Sequence, residues 1–193
     1  MRHRFLAVIG FFTVLLLTTV VSTTSATVVK LLSEEDMVNQ SQNILIGTCT
    51  SVRSEWNEEG SKIYTYATIS VHDVLKGGEP PRQITIKQPG GEVGDIGMLV
   101  EGASVFEEGE EALLFLKEGR KGFHRVLGLS QGKFSIKTDP VTQRKILVKK
   151  RLQRVRTREG RIETRILEMR SERKLFLDEL TERVHTILRK TGK

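Results

Sequence analysis

The stretch Ile63 to Leu75, IYTYATISVHDVL, constrains the fold more than any other part of this chain, because it alternates along most of its length. Ile63, Thr65, Ala67, Ile69 and Val71 fall on one side, and Tyr64, Tyr66, Thr68, Ser70 and His72 on the other. A side-chain period of two sends successive residues to opposite faces of a pleated strand. One face is therefore set for a core, and the face carrying Tyr64 and Tyr66 is a candidate exposed aromatic surface.

The same reading extends along the chain. Ile44 to Val52 and Gln83 to Gln88 alternate with branched residues, the second placing Ile84 and Ile86 inward. Glu111 to Lys117, EALLFLK, is a continuous apolar run of strand length, as expected of a strand covered on both faces. Phe123 to Leu129, QGKFSIK with Phe134 and Ile136, and Lys145 to Val148 add further short strands. Between them lie turn signals: SEWNEEGS at 54 to 61, KGGEPPR at 76 to 82 and GRKG at 119 to 122. Short strands joined by such turns predict a mainly β fold, a small antiparallel OB-like barrel of five or six strands, since closure removes exposed edges.

Helices are expected only at the two ends. Ser33 followed by Asp36 has the form of an N-cap ahead of Met37 and Val38, giving a short N-terminal helix. From about Ser171 the pattern turns helical, with Leu177, Leu180, Val184, Ile187 and Leu188 on one face and Gly192 placed to end the helix. Lys149 to Arg161, KKRLQRVRTREGR, lacks an apolar face beyond Leu152 and Val155 and reads as a basic linker. The expected organisation is a signal at 1–26, a barrel at 27–148, and a basic linker with a C-terminal amphipathic helix at 149–193.

The order of these pieces carries a resemblance. GTCTSVRSEW, IYTYATISVHDVLKG, ITIKQPGGEVG, FEEGEEALLFL and VLGLSQGKFSI, in that order over about Val38 to Lys137, resemble a group of exported bacterial proteins for which no activity is established. The group is described as small barrels similar to the OB-fold, in the manner of the inhibitory domain of tissue inhibitors of metalloproteinases. The resemblance implies export, and a secreted zinc peptidase as one kind of companion. The inhibitors chelate their target's zinc through an N-terminal cysteine. In this chain Cys49 is internal, so that mechanism is not implied.

Export is also what the N-terminus predicts. Arg2 and Arg4 precede an uncharged segment whose run Phe5 to Val21 is largely apolar, followed by Thr24-Ser25-Ala26, the small residues of a signal cleavage site. Cleavage after Ala26 would start the mature chain at Thr27; the alternative is a retained N-terminal anchor. Both place the remainder outside the cytoplasm, periplasmic or extracellular. One cysteine means no internal disulfide, so the fold must hold by packing. Cys49, inside a strand-like run, reads as a small buried hydrophobe.

The net charge of +7 is unevenly spread. From Arg144 to Lys193 there are 17 Lys and Arg against 7 Asp and Glu, which leaves the first 143 residues at −3. An acidic body with a basic C-terminal segment implies electrostatic contact of that segment with anionic membrane or envelope polymers. Nucleic acid is the less favoured partner, since the barrel portion is itself slightly acidic.

The motif that looks most like chemistry is KQPGGEVGDIG, Lys87 to Gly97. Its glycines match neither the P-loop nor the dinucleotide spacing, no helix pattern follows, and Glu92 and Asp95 would repel a phosphate. The stretch therefore reads as a turn at Pro89, Gly90 and Gly91 opening a long acidic loop with Glu92 and Asp95, a candidate contact surface for a partner. His72, His124 and His185 show no metal-ligand spacing, and Ser130 in GLSQG sits between strand-like runs rather than at a nucleophile elbow. No catalytic residue, metal or cofactor is expected. The reading that results is an exported non-enzymatic binding module for a protein, a secreted protease or an envelope protein. The alternatives are an extracytoplasmic hydrolase with an unrecognised carboxylate site and a membrane-tethered structural protein. N-terminal sequencing of the exported protein is expected to begin at Thr27, and an intact Met1 would instead select the anchor.

Overall fold

The structure, a computed structural model, describes residues 30–78, 81–156, 162–169 and 174–192. The apolar run from Phe5 to Val21 and the expected cleavage after Ala26 lie outside the described residues. The first element is helix α1, Glu34–Gln40, closed by a capping box: the Ser33 hydroxyl accepts from the Asp36 N–H, and the Asp36 carboxylate accepts from the Ser33 N–H.

Strands β1, Asn43–Trp56, and β2, Ile63–Lys76, form a long antiparallel hairpin. Its turn is closed by Asn57, whose side-chain carbonyl accepts from the N–H groups of Ser61 and Lys62. Strand β3, Gln83–Pro89, pairs with β2. A small separate hairpin follows, β4, Gly91–Val93, with β5, Ile96–Met98. Strand β6 is Glu111–Glu118 and β7 is His124–Val126, with one turn of 3-10 helix, Arg120–Gly122, between them. Then come β8, Lys133–Thr138, β9, Lys145–Arg156, β10, Ile162–Met169, β11, Leu175–Phe176, and helix α2, Leu177–Thr191.

The strand order β1-β2-β3-β7-β6, with β6 returning to β1, closes a five-stranded barrel. Four of its five pairings are antiparallel; β3 and β7 run parallel and meet at a single pair, Ile86 opposite His124. The sheet then continues outside the barrel, because β6 also pairs with β8, β8 with β9, and β9 with β10 and β11.

Two cores result, and strand alternation sorts residues between them. Leu45, Cys49, Ala67, Ile69, Ile84 and Ile86 fill the barrel together with Phe106, Ala112, Leu114 and Leu116. On the outer side, Ile44, Ile46, Leu113 and Phe115 meet Phe134, Ile136 and Leu147 from the sheet extension, Met37 and Val38 of α1, and Leu180, Val184 and Leu188 of α2. The continuous apolar run of β6 is thus explained as expected, by burial on both faces.

Helix α2 presents the predicted face, Leu180, Val184 and Leu188, to this outer core and ends at Gly192 in the left-handed conformation. It begins at Leu177, later than the pattern from about Ser171 implied, because Leu175 and Phe176 pair with β9. Two expectations are corrected. The linker expected from Lys149 is, over 149–156, the last eight of the 12 residues of β9, paired with β10 from Lys149 opposite Met169 to Arg156 opposite Ile162. Backbone ladder bonds do not depend on side-chain polarity, so a two-stranded ribbon rich in charged residues leaves no apolar period to read. The irregular loop expected after Pro89 contains the β4–β5 hairpin, turned through Gly94 at φ 59.

Phe115 is wholly buried in the outer core and packs its ring 5.9 Å from that of Phe134. Phe115→Ala is expected to cost about 3–5 kcal/mol of stability in urea unfolding, by lost transfer energy and the cavity left behind.

Candidate functional site: an aromatic and cationic face

The outer face of β1, β2 and β3 carries one row of side chains placed by register. Arg53 of β1 stands opposite Tyr66 of β2, and Tyr66 stands opposite Lys87 of β3. Alternation sends Ala67, Ile69, Ile84 and Ile86 into the barrel, so their neighbours Tyr66 and Lys87 must point away from it. The Lys87 ammonium sits 4.2 Å from the Tyr64 ring centroid, 5.3 Å from Tyr66 and 5.7 Å from Phe123. The Arg53 guanidinium lies 5.0 Å from the Tyr66 centroid, and Phe123 meets Tyr66 edge-on at 5.4 Å. A cation held against an electron-rich ring gains about 0.5–1 kcal/mol at an exposed site, so these contacts fix where both cations sit.

The structure corrects the exposure expected of this face. Tyr66 is only 8 % exposed, because its cross-strand neighbours fold over it, while Tyr64 remains half-buried at the rim. Beside Tyr64 opens a groove of about 1090 Å³, between Lys87 to Pro89 on β3 and Arg125 and Val126 on β7. Lys117, Arg120, Lys121 and Arg125 stand along it with Lys87, against one carboxylate, Glu118. His124 lines it as well, with its Nδ1 buried and without a hydrogen-bond partner. Burial pushes its pKa below the usual histidine value, and Glu118 offsets this only in part.

The glycine stretch has a packing role. Gly90 and Gly91 adopt φ of 97° and 134°, and a Cβ on Gly91 would lie 2.3 Å from Ser54 Oγ and 2.5 Å from Thr65 Oγ1. The Thr65 hydroxyl donates to the Gly90 carbonyl at 2.7 Å, tying the chain down as it leaves β3. Pro89 pairs opposite Tyr64 and lines the groove, so the turn and the aromatic face are brought together. Glu92 borders a second cleft of about 390 Å³. Asp95 is exposed at the hairpin turn, next to Ile96, which is 56 % exposed, and lines neither cleft.

Ion pairing separates most cations of this groove from several of the C-terminal segment. Cations of the C-terminal segment are taken up by carboxylates: Arg144 by Asp178 at 2.7 Å, Lys145 by Glu111 at 2.9 Å, Lys150 by Glu107 at 2.7 Å and Glu110 at 3.0 Å. Arg183 pairs with Glu34 at 2.8 Å, and Lys174 with the buried Asp139. Lys133 and Glu110 form a buried pair at 2.6 Å, in which burial lowers the lysine pKa and the carboxylate opposes that shift. Among the described residues, Lys87, Lys117, Arg120 and Arg125 have no carboxylate within 4.0 Å, and Lys121 has only the exposed Glu58. Arg53 shares an exposed pair with Glu55. Four such cations along one groove make it a concentration of unneutralised positive charge, while Lys62, Arg82, Arg151, Arg189 and Lys190 are scattered cations that likewise have no carboxylate within 4.0 Å among the described residues.

Cys49 is in the barrel interior, where burial first and Glu110 second push its thiol up to about 11, well away from a reactive thiolate. No group of three or more His, Cys, Asp or Glu among the described residues is placed to hold a metal ion. Arg53, Lys87, Phe123 and the groove cations escaped the sequence reading. They sit on separate elements, and only the alternation of Gln83 to Gln88 hinted that Lys87 faces outward. Fold and face together define a small five-stranded β-barrel with a cationic and aromatic surface on its second and third strands. No family model matches the chain, and no curated protein or solved structure is found to be similar to it.

The lowered pKa of His124 has a signed consequence. The unfolded imidazole, near pH 6.5, takes up its proton before the folded one, so stability is complete above that pH and falls as pH drops from there through the folded value. In an NMR titration His124 is expected to protonate below the usual histidine value, and His124→Gln to flatten the loss of stability on the acid side.

Proposed function

We propose that this chain is an exported, non-enzymatic binding module that engages a protein partner through the face of Tyr64, Tyr66 and Lys87 and the adjoining turn from Pro89. The observation that carries the reading is the concentration of unneutralised cations around preplaced aromatic rings, beside a groove of ligand size. An enzyme would need a nucleophile or acid with an orienting partner. The site's one histidine instead keeps an unpartnered Nδ1, and Ser130 lies in the turn between β7 and β8. Export enters from the N-terminal sequence, and a secreted protease or an envelope protein is the partner to seek first.

The C-terminal segment has a smaller part in this reading than its charge implied. Arg144, Lys145, Lys150, Lys174 and Arg183 are held by the chain's own acids, which leaves them less free to attract an anionic surface.

A photo-crosslinking phenylalanine analogue placed at Lys87, Lys121 or Glu92 in producing cells tests the reading. A discrete protein adduct is expected from these positions and none from Lys190 on the exposed side of α2. Adducts from Lys190 alone, or from no position, would remove the module reading.

A further inference from the structure

Resting on that reading, we propose that the groove between β3 and β7 takes an extended segment of the partner that carries acidic and apolar side chains together. The shape follows from the barrel's closure. Strands β3 and β7 are joined by the one pair Ile86 and His124, and no further pair follows. The groove occupies the gap between residues 87–89 and 125–126, two strand edges running in the same direction. A slot between strand edges accommodates a chain that is itself extended.

Its chemistry is two-sided. Five cations, Lys87, Lys117, Arg120, Lys121 and Arg125, face one carboxylate, Glu118. Between them lie Phe123, Val126, Leu127 and Leu129. A carboxylate on the incoming chain gains a partner at the rim, while an apolar neighbour covers the side chains that a purely ionic polymer would leave wet. Lys87 is already held over Tyr64, Tyr66 and Phe123, so little rotamer freedom remains to be lost when it receives a carboxylate.

The same arrangement disfavours a single-stranded nucleic acid. Base stacking needs free ring faces. Tyr66 is 8 % exposed, meets Phe123 edge-on, and has Arg53 and Lys87 within 5.3 Å of its centroid. Cation and ring have satisfied one another, which leaves charge rather than stacking surface on offer.

The test is fluorescence anisotropy with the purified exported protein and three labelled probes of equal length: a peptide alternating Glu and Leu, one alternating Lys and Leu, and oligothymidylate. Binding of the Glu-Leu peptide alone is expected, weakening by about tenfold or more between ~50 and ~300 mM salt, as exposed charge attraction is screened. Arg120→Glu and Arg125→Glu, both at exposed positions, are each expected to weaken it by about tenfold, equivalent to ~1.4 kcal/mol. Lys145→Glu, on the paired side of the surface, is expected to leave affinity unchanged, with circular dichroism checking that every variant folds. Failure of the Glu-Leu peptide to bind at low salt, equal affinity in the Arg120 and Arg125 variants, or tighter binding of oligothymidylate overturns the proposal. A partner crosslinked at Lys87 without Glu-Leu binding would refute the acidic segment while leaving the module reading in place.

Discussion

Strand β6 is the constraint from which the rest of the structure follows. One of its edges pairs with β1 to close the barrel, and the other is divided between β8 and β7. Its side chains divide likewise, with Ala112, Leu114 and Leu116 filling the barrel and Leu113 and Phe115 seating both helices and the sheet extension. A strand buried on both faces can carry almost no polar residue, which is why EALLFLK is the most apolar run outside the N-terminus. With no disulfide to assist, the two cores hold the fold by packing, and they share this strand.

The division of the edge also creates the groove beside Tyr64. β7 is three residues long and reaches β3 at a single pair, so the barrel closes there with little backbone pairing. The gap is lined by β7, the turn before it and the end of β6, which carry Arg125, then Arg120 and Lys121, and Lys117. Across the molecule the opposite holds: the acids Glu107, Glu110 and Glu111, which lead into β6, meet Lys145, Lys150 and Lys133 from β8 and β9. Part of the basic tail is thus compensated by acids of the barrel, while the groove cations have no such acids beside them.

Much of the fold was legible in the sequence for a definite reason. Period-two alternation in β2 and β3 reports which face fills the barrel, and the capping box at Ser33 and the stop at Gly192 report helix ends. The β9–β10 ribbon was not legible, because its support is backbone pairing and KKRLQRVR shows no apolar stripe. The β4–β5 hairpin was hidden by glycines whose role is close approach to Ser54 and Thr65, a contact between distant parts of the chain. Of the site, Tyr64, Tyr66 and Pro89 were visible as types on a face or at a turn. Arg53, Lys87 and Phe123 were not, since nothing local distinguishes them from other surface residues.

By itself the sequence determined the class of fold, the residues that turn inward, the two helices and the unequal distribution of charge along the chain. These are consequences of local periodicity and composition, which a linear string records. Only the tertiary structure decided that Arg53, Tyr66 and Lys87 form one row, that Tyr66 is covered, and that Lys145, Lys150 and Lys174 of the basic tail meet acids of the barrel portion while the groove cations Lys87, Lys117, Arg120 and Arg125 do not. The physical reason is that strand register and barrel closure join residues far apart in the chain, and electrostatic neutralisation depends on distance in space.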